Sequence, residues 1–358
     1  MSAGPESVIR DDVRAMTAYA VASADGLVKL DAMENPYRLP EPLRRDIAEA
    51  VAAADLNRYP DPAAPALVRR LREVMGIGPE HGVLLGNGSD EIIHIIIQCV
   101  ARPGAVVLAP RPSFVMFDLY AQFAGLRYVG VPLREDFDLD AGAFMEAMRE
   151  HRPAVVFIAY PNNPSGNLFP EDVLARIVAA APGLVVIDEA YHAFARKSFM
   201  PRLGEFPNLV VMRTLSKLGL AGIRLGYAAG RPGWIGEFDK VRPPYNVNVL
   251  TQVVAERVLA HADMLDAQAR SISADRERLA RELGELPRTR VFPSEANFLL
   301  VRVPDAPKVF EGMRRRGVLV KNLHGGMPLL DHCVRITVGT PEENRRCVAA
   351  FSQALAER

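Results

Sequence analysis

"AVVFIAYPNNPSG", residues 154–166, decides how the chain is read. Its first half is an unbroken apolar run, rich in β-branched residues, with no polar residue at alternate positions. A strand with one wet face would alternate; a continuous run is buried on both faces, as in a parallel sheet covered by helices. The second half changes character at once. Two asparagines, two prolines, a serine and a glycine are turn chemistry. The pattern recurs on either side. "GVLLGNG", "AVVLAP", "LRYVGVPL", "LVVIDEAY", "LVVMRTLS" and "LGYAAG" are strand-like, and between them lie helical stretches such as "SDEIIHIIIQCVA" and "EDVLARIVAAA". This alternation predicts an α/β unit over residues 41–250 with a mostly parallel central sheet flanked by helices.

After "RPPYNVN" the texture shifts. Residues 250–285 read as one long, polar-faced helix rich in Arg and Glu. Then come "NFLLVRV", a helix around "VFEGMRRRG", "VLVKNL", "CVRITVGT" and a last helix. A smaller α+β unit is expected over 251–358, with the irregular residues 1–40 as an arm that forms part of it. A chain of 358 residues accommodates two such units.

Forty-three basic and forty-three acidic residues cancel, so no overall field draws the chain to nucleic acid or to an anionic membrane. The triple arginine 314–316 reads as a solvated helix end. No apolar run reaches the ~20 residues of a membrane span. The start, "MSAGPESVIRDDVRAM", lacks the apolar core of a signal peptide. Cys99, Cys333 and Cys347 are too few and too scattered for a disulfide framework, and with His324 and His332 they show no metal-ligand spacing. The expectation is a soluble cytoplasmic protein without a metal.

In open α/β sheets ligands gather beyond the carboxyl ends of the strands. Four ends here are chemically specific: Asn87-Gly88-Ser89-Asp90, Tyr160-Pro161-Asn162-Asn163-Pro164, Asp188-Glu189-Ala190-Tyr191 and Thr214-Leu215-Ser216-Lys217. The first leads into a helix whose amides, with the Ser89 hydroxyl, suit a phosphate, although Ser and Asp are also ordinary caps. Asp188 closes a buried run and needs a partner. A protonated pyridine nitrogen would serve, as would a helix N-terminus. Tyr191 and Asn163 could meet a phenolate oxygen, or simply pack and turn. Only six of the basic residues are lysines, yet Lys217 sits among hydroxyls and is followed seven positions later by Arg224. Lysine forms a Schiff base with an aldehyde and arginine does not. Phe114 could stack on a flat ring or fill the core. Each feature alone has an ordinary explanation. Together, in this order, they are the parts that pyridoxal phosphate requires.

In "YPNNPSG", "VVIDEAY" and "TLSKLGLAGIRLGY" the chain resembles the fold-type I pyridoxal-phosphate aminotransferases over essentially its whole length. "LDAMENP", "NRYPDP" and "RITVGTPEEN" are similar to the histidinol-phosphate aminotransferase family among them. The resemblance implies pyridoxal 5'-phosphate as cofactor, a homodimer, and transfer of an amino group from L-histidinol phosphate to 2-oxoglutarate, giving imidazole acetol phosphate and glutamate in histidine biosynthesis. Lys217 would hold the cofactor and shuttle the proton, and Asp188 would pair the pyridine nitrogen. Tyr191 and Asn163 would contact the ring hydroxyl, with Phe114 stacked on the ring. Ser89, Asp90, Thr214, Ser216 and Arg224 would surround the phosphate, joined by Tyr59 from a neighbouring subunit. Arg335 would bind the substrate's anionic end, with Asn163, Lys321 and Tyr19 close by.

The chain departs from the family pattern in three places. The spacing from Lys217 to Arg224 is one residue shorter than in many relatives, which asks for a tighter loop at Gly219. Phe114 stands where relatives often carry Tyr, and Lys321 where many carry Arg. Lysine keeps the charge and loses the two-pronged geometry. The rival readings are an aromatic amino-acid aminotransferase and a phosphate-substrate decarboxylase of the same fold. A cofactor-binding regulator would need an added DNA-binding module, and a plain nucleotide-binding protein would need G-x-G-x-x-G after the first strand.

Overall fold

The computed structural model describes residues 4–18 and 22–357. Its strands are β1 (Val28–Lys29), β2 (Gly82–Gly86), β3 (Val106–Arg111), β4 (Arg127–Pro132), β5 (Val155–Ala159), β6 (Leu184–Asp188), β7 (Leu209–Thr214) and β8 (Gly226–Gly230), then β9 (Arg290–Val291), β10 (Phe298–Arg302), β11 (Val318–Leu319), β12 (Lys321–Asn322) and β13 (Cys333–Thr337). Among the described residues, seven of these form one sheet in the order β2-β8-β7-β6-β5-β3-β4. β7, β6, β5, β3 and β4 pair in parallel, while β8 runs antiparallel to both β7 and β2.

The unbroken apolar runs are explained by two separate cores. Val156, Ile158, Val185, Ile187 and Val211 face one core, whereas Val155, Phe157, Val186, Val210 and Met212 face the other. Both faces are covered. The helix Ser89–Val100 buries Ile92, Ile93, Ile95, Ile96 and Ile97 in the second core. Burial of one such side chain contributes roughly 1.5–3 kcal/mol, so this helix is held firmly by its middle. Its N-terminus is thereby fixed at the sheet's carboxyl edge.

A third core gathers the C-terminal strands and helices. There β12, β13, β10 and β9 form an antiparallel sheet in that order. β1, from the start of the chain, pairs in parallel with β11, Val28 opposite Val318. Leu30 O then accepts from Thr337 N at 2.9 Å, and Met33 N donates to Thr337 Oγ1 at 2.9 Å. The early arm is stitched to the late strands.

The expected single helix over 250–285 is instead two, Val249–Leu259 and Ala262–Gly284, broken at His261 with φ −118° and ψ 40°. The break lets the second helix turn from one core to another. Ala255, Val258 and Leu259 of the first helix and Leu265 of the second pack in the first core, while Ala269, Ile272, Leu279 and Leu283 pack in the third. The first forty residues also contain two short helices, Pro5–Val8 and Asp11–Arg14. None of the described helices is long and apolar enough to cross a membrane.

Candidate active site

A cavity of about 360 Å³ lies at the carboxyl edge of the large sheet. Its walls include Ser89, Asp90, Phe114, Asn163, Asp188, Tyr191, Thr214, Ser216, Lys217 and Arg224. Four strand ends and one helix N-terminus converge there because parallel strands point the same way.

Asp188 is the last residue of β6 and is only 3% exposed. Its Oδ1 accepts from Ala190 N at 3.0 Å. Burial lifts its carboxyl to about 7, the Ala190 bond works against that rise, and the negative charges of Asp90 and Glu189 add to it. A carboxylate so poorly solvated favours a cationic partner at close range.

Lys217 follows β7 on a 3-10 turn and donates from Nζ to Ala32 O at 3.1 Å. Burial and the positive charge of Arg335 bring its amine down to about 8, against the pull of Glu34 and Asp90. An amine in that range is available as a nucleophile and proton carrier near neutral pH. The expected tightening falls at Gly219, where φ is 110°, a conformation that glycine adopts without strain. A Cβ there would come within 3.0 Å of Asn35 Nδ2.

A second group of wall residues gathers around the helix that starts at Ser89. The helix N-terminus at Ser89 presents backbone N–H groups without helical partners. Arg224 donates from Nη1 to Ser216 Oγ at 3.2 Å, and its Nη2 lies 3.4 Å from Asp90 Oδ2. Thr214 Oγ1 bonds Ser216 Oγ at 3.0 Å. The backbone comes close here: a Cβ on Gly88 would sit 2.8 Å from Arg224 Nη2, and one on Gly226 would sit 2.6 Å from Ser89 N. Burial raises the Asp90 carboxyl, and the Arg224 charge opposes that rise.

A polar chain leads from the wall to β13. Asn163 Nδ2 donates to the Tyr191 hydroxyl at 3.2 Å, and Arg335 Nη1 donates to Asn163 Oδ1 at 2.6 Å. Arg335 Nη2 also donates to Asp31 O at 3.1 Å. Tyr191 is pushed well above the usual phenol range, chiefly by burial. Phe114 meets Phe117 edge-on, 5.6 Å between centroids, and Phe117 in turn stacks on Phe157. The Phe114 ring is thus held by the core while it lines the cavity.

Several expected residues lie apart from that wall. Arg335, on β13, reaches it through Asn163, and Lys321 pairs with Arg335 in register on β12. Tyr59 is 79% exposed and stacks on Tyr245 with ring centroids 4.3 Å apart, on the outer surface of the chain. Tyr19 falls outside the described residues. His324 and His332 approach to 5.0 Å between rings, but no group of three His, Cys, Asp or Glu able to hold a metal occurs among the described residues.

Sequence reading took "LDAMENP" as a family motif but missed that its residues 32–34 line the cavity. Besides the carbonyls already named, Asn35 Nδ2 donates to Leu218 O at 3.3 Å and to Gln268 Oε1 at 3.0 Å, tying arm, lysine loop and the helix Ala262–Gly284 together. It also missed the fully buried Glu189, which holds Arg213 at 2.8 Å behind the sheet. Backbone carbonyls carry no signal in a sequence. Glu189, next to Asp188 in a buried run, did carry one.

The profile of the family described as aminotransferase class I and II matches residues 25–351. A histidinol-phosphate aminotransferase of Burkholderia lata is 58% identical over 352 residues, covering 98% of this chain and 99% of that protein. One of Chromobacterium violaceum is 53% identical over 348 residues, covering 97% and 98%. The crystal structure of histidinol-phosphate aminotransferase from Sinorhizobium meliloti, in complex with pyridoxal-5'-phosphate, superposes with a TM-score of 0.86 at 24% identity, covering 98% of each chain. At that identity the likeness is one of fold. With the family profile spanning most of its length and curated relatives more than half identical, the chain belongs to the class I and II aminotransferases.

Proposed function

We propose that this chain is a pyridoxal-phosphate-dependent histidinol-phosphate aminotransferase, moving an amino group between L-histidinol phosphate and 2-oxoglutarate. The observation that carries the chemistry is one cavity with a depressed lysine amine, a desolvated carboxylate and a helix-end anion cradle. The substrate assignment rests on relatives of that name at 51–58% identity over nearly the full length.

The residues present fit the cofactor. Its aldehyde suits Lys217, its pyridine nitrogen suits Asp188, and its phosphate suits the tight backbone at Gly88 and Gly226, which leaves no room for side chains. When bound, the cofactor supplies an aldehyde that takes up the amino group and a ring that accepts the electron pair released at the substrate carbon. Asp188 would keep a proton on the ring nitrogen. Asn163 and Tyr191 would orient the ring hydroxyl, and Phe114 would cover a ring face. Ser89, Thr214, Ser216 and Arg224 bind the phosphate, while Asp90 contributes its backbone N–H and orients Arg224, since its own carboxylate would repel the anion. Lys217 Nζ would take the proton from the substrate carbon and deliver it to the carbon that was the cofactor's aldehyde. Arg335 anchors the anionic end of either substrate, with Lys321 and Tyr19 alongside.

In this reading residues 41–250 are the cofactor-holding unit, and 251–358 with the 1–40 arm bring Arg335 to the substrate. The working form is a homodimer in which Tyr59 reaches the partner's cofactor phosphate, a role that its exposure on the outer surface supports. The reaction runs in the cytoplasm, in keeping with three free cysteines.

The deciding experiment is a half-reaction. Histidinol phosphate and phenylalanine are each mixed with the cofactor-loaded protein, and loss of the cofactor's aldehyde absorbance is followed. Faster reaction with histidinol phosphate is expected. Faster reaction with phenylalanine would replace this function by that of an aromatic amino-acid aminotransferase.

A further inference from the structure

The segment that lines the cavity is laid out along the length of a substrate. Asp31 O accepts from Arg335 and Ala32 O from Lys217. Met33 follows with φ 54° and packs its side chain in the third core while still lining the cavity, and Glu34 continues the wall. A substrate with its anionic end on Arg335 and its reacting carbon at Lys217 therefore sends its remaining substituent toward Glu34. On the function proposed above, that substituent is an imidazole in one half-reaction and a second carboxylate in the other. One stretch of wall must receive a base and an acid in turn.

Among the described residues lining the cavity the acids are Glu34, Asp90 and Asp188. Asp188 is buried at its floor and Asp90 faces Arg224. Glu34 remains for the substrate. Its side chain is 47% exposed and meets Lys29 Nζ at 2.5 Å, and that same ammonium lies 3.9 Å from Asp31 Oδ1. An ion pair this exposed contributes little to stability, so either member can leave the other at small cost. Lys29 keeps Asp31 when Glu34 turns away.

We propose that Glu34 and Lys29 form an exchangeable ion pair that reads the substrates' side chains. Glu34 accepts a hydrogen bond from the imidazole of histidinol phosphate, and Lys29 donates to the distal carboxylate of 2-oxoglutarate. The other charged groups facing Glu34 are Asp31, on its own segment, and Lys217, with Arg335 beyond. These are common to both half-reactions. What differs is the imidazole, which free in water titrates at about 6.5. A carboxylate beside it favours the protonated form and raises that value in the complex. The contribution of Glu34 is therefore fully present below the free imidazole value and fades as pH rises through the bound one.

The test uses rapid-mixing half-reactions of the cofactor-loaded protein, which separate the half-saturating concentration from the maximal rate, at pH 6 and pH 8. Comparing each variant with the wild type at one pH cancels titration of the substrate's phosphate. Glu34→Gln should raise the half-saturating histidinol phosphate about tenfold at pH 6, as expected for loss of a charged hydrogen bond, and about threefold or less at pH 8. The same variant should saturate with 2-oxoglutarate at an equal or lower concentration. Lys29→Gln should do the reverse, raising half-saturating 2-oxoglutarate about fivefold without raising that of histidinol phosphate. Equal losses for both substrates, a loss from Glu34→Gln that ignores pH, or no loss at all would overturn the proposal. The wild type keeps this apart from the function itself. If it fails to react with histidinol phosphate, the function falls and the pair's role with it; if it reacts and the variants behave alike, the pair's role alone falls.

Discussion

Exchanging Asp188 for asparagine should move stability and activity in opposite directions. Burial takes this carboxyl from 3.8 to about 7 in the folded, cofactor-free chain. In the unfolded chain it titrates at its ordinary value. Between about pH 4 and pH 7 the folded form therefore keeps a proton that the unfolded form has released, and stability falls as pH rises across that window. A rise of about three pH units corresponds to about 4 kcal/mol once the pH is above 7. Asparagine has no proton to lose, so cofactor-free Asp188→Asn should lack this slope. It should match the wild type near pH 4 and exceed its stability by as much as about 4 kcal/mol at pH 8. Urea unfolding of both cofactor-free proteins at pH 5 and pH 8 measures the difference. With cofactor restored the advantage turns into a loss. The amide cannot keep the ring nitrogen protonated, and turnover should drop on the order of a hundredfold or more. Parallel stability curves for the two proteins, or near-normal turnover of the variant with cofactor bound, would show that Asp188 merely caps the turn at Ala190.

Lys217→Arg should end transamination with the fold intact, and borohydride followed by mass spectrometry should find no cofactor fixed to the chain; surviving covalent label would move the attachment to another lysine. A Tyr59→Phe chain and a Lys217→Ala chain, each impaired alone, should regain part of the activity when mixed and re-equilibrated, because one site of the hybrid dimer is then intact. Confirmed hybrids without activity would remove Tyr59 from a shared site. Arg335→Ala should impair both half-reactions, whereas Lys321→Ala should impair the histidinol-phosphate half at least about tenfold more than the 2-oxoglutarate half, the size of one charged contact. Equal losses from Lys321→Ala would remove it from phosphate recognition.

The large sheet was legible because its strands are covered on both faces, which leaves runs such as 155–159 and 184–188 without a polar break. The wall residues were legible for a related reason. Polar groups that directly follow a buried run stand out, and parallel pairing brings those run ends to one edge. Other features obey longer-range rules. The break at His261 lets the second helix pass from the core that the first helix serves to the third core, and no local propensity records that. Glu34 read as part of a motif, while its place on the wall depends on the turn at Met33 and on strands made far later in the chain. Lys217 was conspicuous by its rarity. Its coverage by Ala32 O was not visible at all.

The pairing of β1 with β11 sets an order of events during translation. Domains fold as they leave the ribosome, N-terminal parts first. Here the segment 28–34 emerges early, but Arg335, which holds Asp31, lies 304 residues further on. The large sheet, from β2 to β8, needs neither end of the chain. A nascent polypeptide that has emerged past β8 thus already holds Asp188, Lys217 and Arg224, while the stretch that will cover the lysine still waits for its strand partner. In that interval Lys217 lacks the carbonyl of Ala32. The final strands to be synthesised determine when the site closes.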